Sequence, residues 1–326
     1  MNKSIKILLN WFLGPVLFVV LCFSLYRQLV QQPDLSQRWQ QVVTSWQSWK
    51  FFTVVFLMLV NWGIEARKWQ LLVRHMQPFS LLQSFKSVLS GCSVTMLTPN
   101  RIGEYGGRML FVLPPHRIKA ISLTIVGSIS QLLITMIMGC LGLIYLRFFS
   151  QTGSNALPVL PHFWGDVLIY FSVASTIMLF LFYIRLGWLV RLLEKLPALH
   201  KVTRHINVLD EFETRQLVQI MALSLLRYLV FVLQYVLLLQ VMEVNISPGL
   251  SFWLITVFYL LMAVAPTVGF LELPVRAKAS MELMMAYSTN TLGIQTAALT
   301  IWGINLVIPA IIGSLLILGI KIVKEK

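Results

Sequence analysis

Charge is scarce in this sequence, and negative charge most of all. The 326 residues include 12 Asp and Glu against 26 Lys and Arg, and charged residues make up 12% of the chain. Soluble domains carry about a quarter charged residues, so a water-soluble fold is excluded. Cysteine is sparse too: Cys22, Cys92 and Cys140 lie apart in or beside apolar segments, with no paired spacing for a disulfide or a thiolate metal site. The histidines His75, His116, His162, His200 and His205 form no ligand cluster, so no metal is expected. The chain also lacks a glycine-rich nucleotide loop, an HExxH helix, an Asp-rich metal motif and a Ser or Cys nucleophile beside a His. No cofactor is implied, no enzyme chemistry is recognisable, and ATP is not a direct energy source.

What fills the chain is apolar: 57% of residues are hydrophobic and the mean hydropathy is +0.78. Apolar runs lie at residues 8–26, 51–64, 120–146, 166–184, 216–242 and 292–320, mostly near the ~20 residues that cross a bilayer as helix. The first has no small-x-small cleavage site after it and reads as an anchor, not a cleaved signal. Two further runs, 81–98 and 250–265, stop at Pro99 and Pro266. The expected architecture is an all-α polytopic membrane protein, a single integral membrane domain over residues 1–326.

The net charge of +14 would suggest nucleic-acid binding in a soluble protein, but no motif supports that here. With the N-terminus cytoplasmic, two basic residues precede the first run, eight lie between 65 and 119, six between 185 and 215, and three at the end, which is 19 of the 26. This bias obeys the positive-inside rule. It predicts both termini on the cytoplasmic side of an inner membrane, with affinity for anionic lipid.

The two Pro-terminated runs each lead into a polar, glycine-bearing stretch. The first reads Thr98-Pro99-Asn100-Arg101-Ile102-Gly103-Glu104-Tyr105-Gly106-Gly107-Arg108, and the second Pro266-Thr267-Val268-Gly269-Phe270-Leu271-Glu272-Leu273-Pro274-Val275-Arg276. Both run Pro, Gly, Glu, with an Arg four residues after the Glu. Such stretches predict two re-entrant hairpins beside about six transmembrane helices. Each half, 1–150 and 160–326, is then span, span, broken hairpin, span. An odd number of crossings inverts the second half, giving an inverted repeat, a recurring design of secondary transporters.

Charges at membrane depth are expensive and mark function. The candidate substrate-binding residues are therefore Arg101, Glu104, Arg108, Arg227, Glu272 and Arg276. Each Glu–Arg pair at i, i+4 shares a helix face. Arg227 stands mid-run and should face inward, toward Glu104, Glu272 or an anionic ligand, with Gln234 on its face at i+7. Gln131 and Asn305 are secondary candidates, otherwise helix–helix glue. Glu65-Ala66-Arg67-Lys68-Trp69 reads first as an interfacial anchor, with Arg67 kept as a further secondary candidate.

Thr98-Pro99-Asn100-Arg101-Ile102-Gly103-Glu104 resembles the Thr-Pro-Gly-Arg-x-Gly-Glu signature of the flippase-like membrane family related to the transmembrane region of lysylphosphatidylglycerol synthases. Arg67-Lys68-Trp69, with Leu71 and Leu72 after it, resembles that family's Arg-x-Trp element. Gly269-Phe270-Leu271-Glu272 resembles the end of its Pro-x-Gly-Gly-x-Gly-x-x-Glu motif, with Thr267 and Val268 standing where glycines are expected. The resemblance implies movement of lipids across the bilayer: aminoacylated phosphatidylglycerol in fused enzymes, and other anionic or isoprenoid-linked lipids in stand-alone members. In the fused enzymes a soluble aminoacyl-transferase domain comes after the membrane part; here that domain is expected to be absent.

The leading expectation is a flippase for an anionic lipid, phospholipid or polyprenyl-phosphate-linked, working by alternating access with its arginines on phosphate. One alternative is a membrane enzyme that modifies lipid headgroups through the Glu and Arg pairs. The other is a non-catalytic partner of an envelope enzyme or a homo-oligomer. In that case the segment 185–215, with Leu186, Leu189, Leu193 and Leu196 beside Arg191 and Lys195, would lie on the membrane or a partner.

Overall fold

A chain this apolar must satisfy its backbone internally wherever it meets lipid, and helices do so. The computed structural model describes residues 46–96, 98, 102–149, 162–185, 214–264 and 272–318, with positions 36, 40, 43 and 44. Among the described residues every regular element is helical. These are α1 (Trp49–Val73), α2 (Leu81–Met96), α3 (Gly103–Met109), α4 (Arg117–Phe148, entered through a 3-10 turn at Pro114–His116), α5 (His162–Ile184), α6 (Thr214–Val241), α7 (Pro248–Val264), α8 (Glu272–Met284), α9 (Thr291–Trp302) and α10 (Ile308–Leu318). A π-helical turn, Gly303–Val307, joins α9 to α10.

Among the described residues, five segments are long and apolar enough to cross a membrane: Trp49–Val73, Pro114–Phe148, Gly165–Ile184, Thr214–Val241 and Thr291–Ile317. They correspond to five of the six expected spans. The run at 8–26 lies outside the described residues, as do Pro99, Pro266 and nearly all of 185–215. Large apolar side chains stay uncovered on the outer helices, including Phe52 and Phe56 of α1 and Tyr170, Phe171 and Met178 of α5. Hydrocarbon is the solvent that suits such faces. The protein is a multi-pass membrane protein.

α1 departs from expectation. Its apolar run was expected to end at residue 64, but the helix continues to Val73 and carries Glu65, Lys68 and Trp69 inside, all buried. The helix tolerates these charges because Glu65 and Lys68 pair with each other at 2.7 Å. Ser48 opens it, its hydroxyl accepting from the Lys50 N–H at 3.3 Å.

α2 and α3 form a tight antiparallel pair. The Ser87 hydroxyl donates to Arg108 O at 3.2 Å. A side chain at Gly107 would meet Ser90 O at 2.3 Å, so the two backbones touch where only glycine fits. Thr98 closes the turn: its hydroxyl accepts from the Gly103 N–H at 2.7 Å and donates to Val94 O at 3.2 Å. This accounts physically for the Thr and Gly of the first motif.

Small residues set two further interfaces. Gly313 brings α10 onto α2 at Leu89, where a Cβ would lie 2.0 Å from the carbonyl oxygen, and Gly142 brings α4 onto α7 at Thr256. Exchanging the two halves maps one of these interfaces onto the other. α1 and α6 run antiparallel, tied by Lys50 Nζ to Gln240 Oε1 at 3.0 Å and by Gln234 Nε2 to Val54 O at 2.9 Å. α8 packs more on α9 than on α7. At the end of α6, Glu243 takes a left-handed conformation (φ 53°). Asn290, which caps α9 through Gly293 N at 2.9 Å, donates to Met242 O there at 2.9 Å.

Candidate functional site

The interior polar residues of α1 fall at positions 61, 65 and 68, one stripe at i, i+4 and i+7. That stripe is turned toward α3 and α6. Glu65, whose side chain is 4% exposed, is its centre: it receives Lys68 Nζ at 2.7 Å, an Arg108 nitrogen at 2.7 Å and an Arg227 nitrogen at 2.9 Å. Arg108 also pairs with Glu104, one turn earlier on α3. Arg227 Nε donates to Asn61 Oδ1 at 2.8 Å. The chain of bonds extends to Asn305, whose side-chain oxygen accepts from Asn61 at 3.4 Å while its amide donates to Ile301 O at 3.2 Å. Pro309 lacks the N–H that a regular helix would give to the Asn305 carbonyl, and the π turn that carries Asn305 sits at that break.

Indole and phenyl faces hold the guanidinium groups. Arg108 lies 5.0 Å over Trp69, and Arg227 lies 5.5 Å over Trp62 and 5.4 Å over Phe231. A cation over an aromatic face, away from water, gains about 2 kcal/mol, and the stacking fixes the plane of each fork. Lys68 Nζ also reaches Gly127 O of α4 at 3.5 Å.

The charges do not cancel. Among the described residues, Lys68, Arg108 and Arg227 face Glu65 and Glu104, formally three cations against two carboxylates, an excess of one positive charge. Arg108 Nε is buried with no hydrogen-bond partner among the described residues. Accessibility is unequal: Glu65, Lys68 and Arg108 are sealed, whereas the side chains of Glu104 and Arg227 remain 24% and 15% exposed. A ligand would therefore meet Arg227 and Glu104 first, backed by fixed positive charge.

The Glu and Arg of α8 are arranged differently. Arg276 donates to Glu272 through Nε and a terminal nitrogen, at 2.9 and 2.6 Å. This pair has one charge of each sign, and among the described residues it makes no ion pair with the Glu65 cluster. A second pair, Lys278 to Glu282 at 2.6 Å, lies further along the same helix.

Glu104, Arg108 and Arg227 thus converge, and Glu272 and Arg276 form a separate pair. Arg101 lies outside the described residues. Arg227 faces inward as expected, but its partners are Glu65 and Asn61 of α1, not Glu104 or Glu272. Gln234 does share its face, since both contact α1. Gln131 donates to Ser224 O at 3.4 Å, beside a Ser130–Ser224 hydroxyl bond at 3.0 Å, joining α4 to α6. Arg67 is exposed and bonds Gln70, away from the cluster. The anchor reading of residues 65–69 is corrected for Glu65, Lys68 and Trp69, which are core. Sequence reasoning ranked Glu65 and Lys68 as an anchor before a site and missed Asn61, although the i, i+4, i+7 spacing of the three was the signal.

Residues 11–313 match the family model described as the lysylphosphatidylglycerol synthase TM region. The chain belongs to this family. No curated protein matches it, and no solved structure does. The whole cluster, from Asn61 to Asn305, falls inside the span shared with the lysylphosphatidylglycerol synthase TM family. Membership relates the protein to lipid handling, and the cluster is where its membrane-buried charge gathers.

Proposed function

We propose that this protein moves an anionic lipid, a phospholipid or a polyprenyl-phosphate-linked lipid, between the leaflets of the cytoplasmic membrane, with both termini cytoplasmic. The observation that carries the reading is the uncompensated positive charge of the Glu65 cluster. Buried ions are stable only when paired, so a site with one excess cation is completed by an anion. Arginine forks, prepared by stacking and by Glu65, suit phosphate oxygens. Arg108, Arg227 and Glu104 form the headgroup site, and Glu65 positions the two arginines. Glu272 and Arg276 act at the other hairpin. Arg101, in the first hairpin's turn, belongs to the same headgroup reading.

Alternating access fits the architecture. The exchange of the α2–α10 and α4–α7 interfaces between halves supports an inverted repeat, and Pro99 and Pro266 support re-entrant hairpins that rock as units. The acyl or prenyl chain stays in lipid while the headgroup crosses. No catalytic role is assigned to any residue.

The test is translocation in proteoliposomes of fluorescent phosphatidylglycerol against phosphatidylcholine, scored by quenching the outer leaflet. The wild-type protein is expected to move the anionic lipid selectively. Appearance of a chemically altered lipid by mass spectrometry, with no leaflet exchange, would favour a headgroup-modifying enzyme instead.

A further inference from the structure

α6 carries two polar stripes. Arg227 and Gln234, seven residues apart, face α1; Tyr228 and Tyr235, also seven apart, face α7 and α8. Both tyrosines are buried, at 3% and 0% exposure, and neither hydroxyl has a hydrogen-bond partner among the described residues. A buried phenol normally finds a partner, and leaving one unpaired is unfavourable. Ser280, beside Tyr235, donates to Ala277 O at 3.0 Å and keeps lone pairs that suit the Tyr235 hydroxyl, so Tyr228 is the phenol with no acceptor among the described residues.

The surroundings are aromatic. Tyr259 of α7 lies 6.0 Å from Tyr228, 6.3 Å from Tyr235 and 6.2 Å from Phe231, ring centre to ring centre. Phe231 in turn lies under Arg227, and Arg276 is close enough to act electrostatically on Tyr235 and Tyr259. A path of rings and hydroxyls therefore starts at Arg227 of the charged cluster and ends near Arg276 of the second hairpin. Ring faces, with their negative quadrupole, suit the C–H edges of a polyol; phenol hydroxyls suit its oxygens. No charge is needed along that path.

We propose that Tyr228, Tyr235 and Tyr259 form a second subsite, which takes the uncharged, hydroxyl-rich part of the headgroup, a polyol or a sugar, while Arg227 and Arg108 hold its phosphate. This rests on the anionic-lipid reading and extends it to the headgroup atoms beyond the phosphate. The subsite favours lipids whose phosphodiester carries hydroxyls over those whose phosphodiester does not.

The test compares three lipids of equal charge in proteoliposomes: phosphatidylinositol, phosphatidylglycerol and phosphatidylmethanol, the last with no headgroup hydroxyl. The wild-type protein is expected to move the first two about tenfold faster than the third, the ratio that two ordinary hydrogen bonds produce. The double variant Tyr228→Phe, Tyr235→Phe is expected to lose that ratio by slowing the hydroxyl-bearing lipids, and Tyr228→Phe alone to leave the melting temperature unchanged or raised because an unpaired hydroxyl is gone. Equal rates for all three lipids in the wild type would overturn the subsite and leave the anionic-lipid reading standing. So would a double variant that keeps the preference, or a Tyr228→Phe protein that melts lower, since that hydroxyl would then have a protein partner. Movement of none of the three lipids would overturn both readings.

Discussion

α3 and α8 carry the same short pattern, a Glu with an Arg four residues later, and the molecule uses them differently. On α3, Arg108 reaches past Glu104 to Glu65 of a neighbouring helix and joins Lys68 and Arg227. On α8, Arg276 turns back to Glu272 and closes a neutral pair. The difference begins with one residue. The position before the Arg is Gly107 on α3 and Val275 on α8. Gly107 lets α3 lie against the backbone of α2, which seats Arg108 deep enough to reach α1. Local charge pattern therefore nominates a pair, while backbone approach decides whether it becomes part of a network.

The largest expected effect breaks the network at its centre. Glu65→Gln leaves three cations facing Glu104 alone, and loss of one partner of a buried ion network costs about 3–5 kcal/mol; thermal unfolding in detergent should show a large drop or no folded protein. Glu272→Gln, which unpairs only a partly exposed Arg276, should lower the melting temperature far less.

Exchanging the residues that distinguish the two helices comes next. Gly107→Val gives α3 the residue of α8 and drives a side chain into the Ser90 carbonyl, costing about 3 kcal/mol or more. The reverse change, Val275→Gly, should cost about 1–2 kcal/mol through helix propensity and lost apolar contact. Equal losses from the two changes, by the same unfolding measurement, would break the comparison. Asn305→Ala, which removes the amide link from the π turn to Asn61, should cost about 1 kcal/mol. The smallest effect belongs to the part-exposed Lys278–Glu282 pair, where Lys278→Ala should stay within about 0.5 kcal/mol of wild type.

Much of this was legible in the sequence. Apolar runs located five described spans because lipid imposes length and composition on any crossing segment. Glu104, Arg108 and Arg227 stood out because charge is scarce around them. Glu65 and Lys68 did not, since they sit where a span was expected to end and a basic cluster there ordinarily anchors at the headgroups. Only the three-dimensional meeting of α1, α3 and α6 shows that Glu65 organises the arginines. Which residue Arg227 would choose was also beyond the sequence, which offered Glu104 and Glu272 and read Glu65, the partner that packing brings to it, as part of an anchor. The unpaired tyrosine hydroxyls had no sequence signal, since Tyr228 and Tyr235 read as ordinary apolar core.

One measurement bears most directly on the central claim, that the excess cation of the Glu65 cluster serves an anionic lipid. Arg227→Gln makes the cluster neutral, two cations against two carboxylates, so the fold should survive while the attraction for an anion is lost. Arg276→Gln removes a cation already neutralised by Glu272. Translocation of fluorescent phosphatidylglycerol by the two variants, reconstituted side by side and checked for equal folding, should fall at least about tenfold for Arg227→Gln, the loss of one charged hydrogen bond, and clearly less for Arg276→Gln. A folded Arg227→Gln protein that moves the lipid at the wild-type rate would contradict the account.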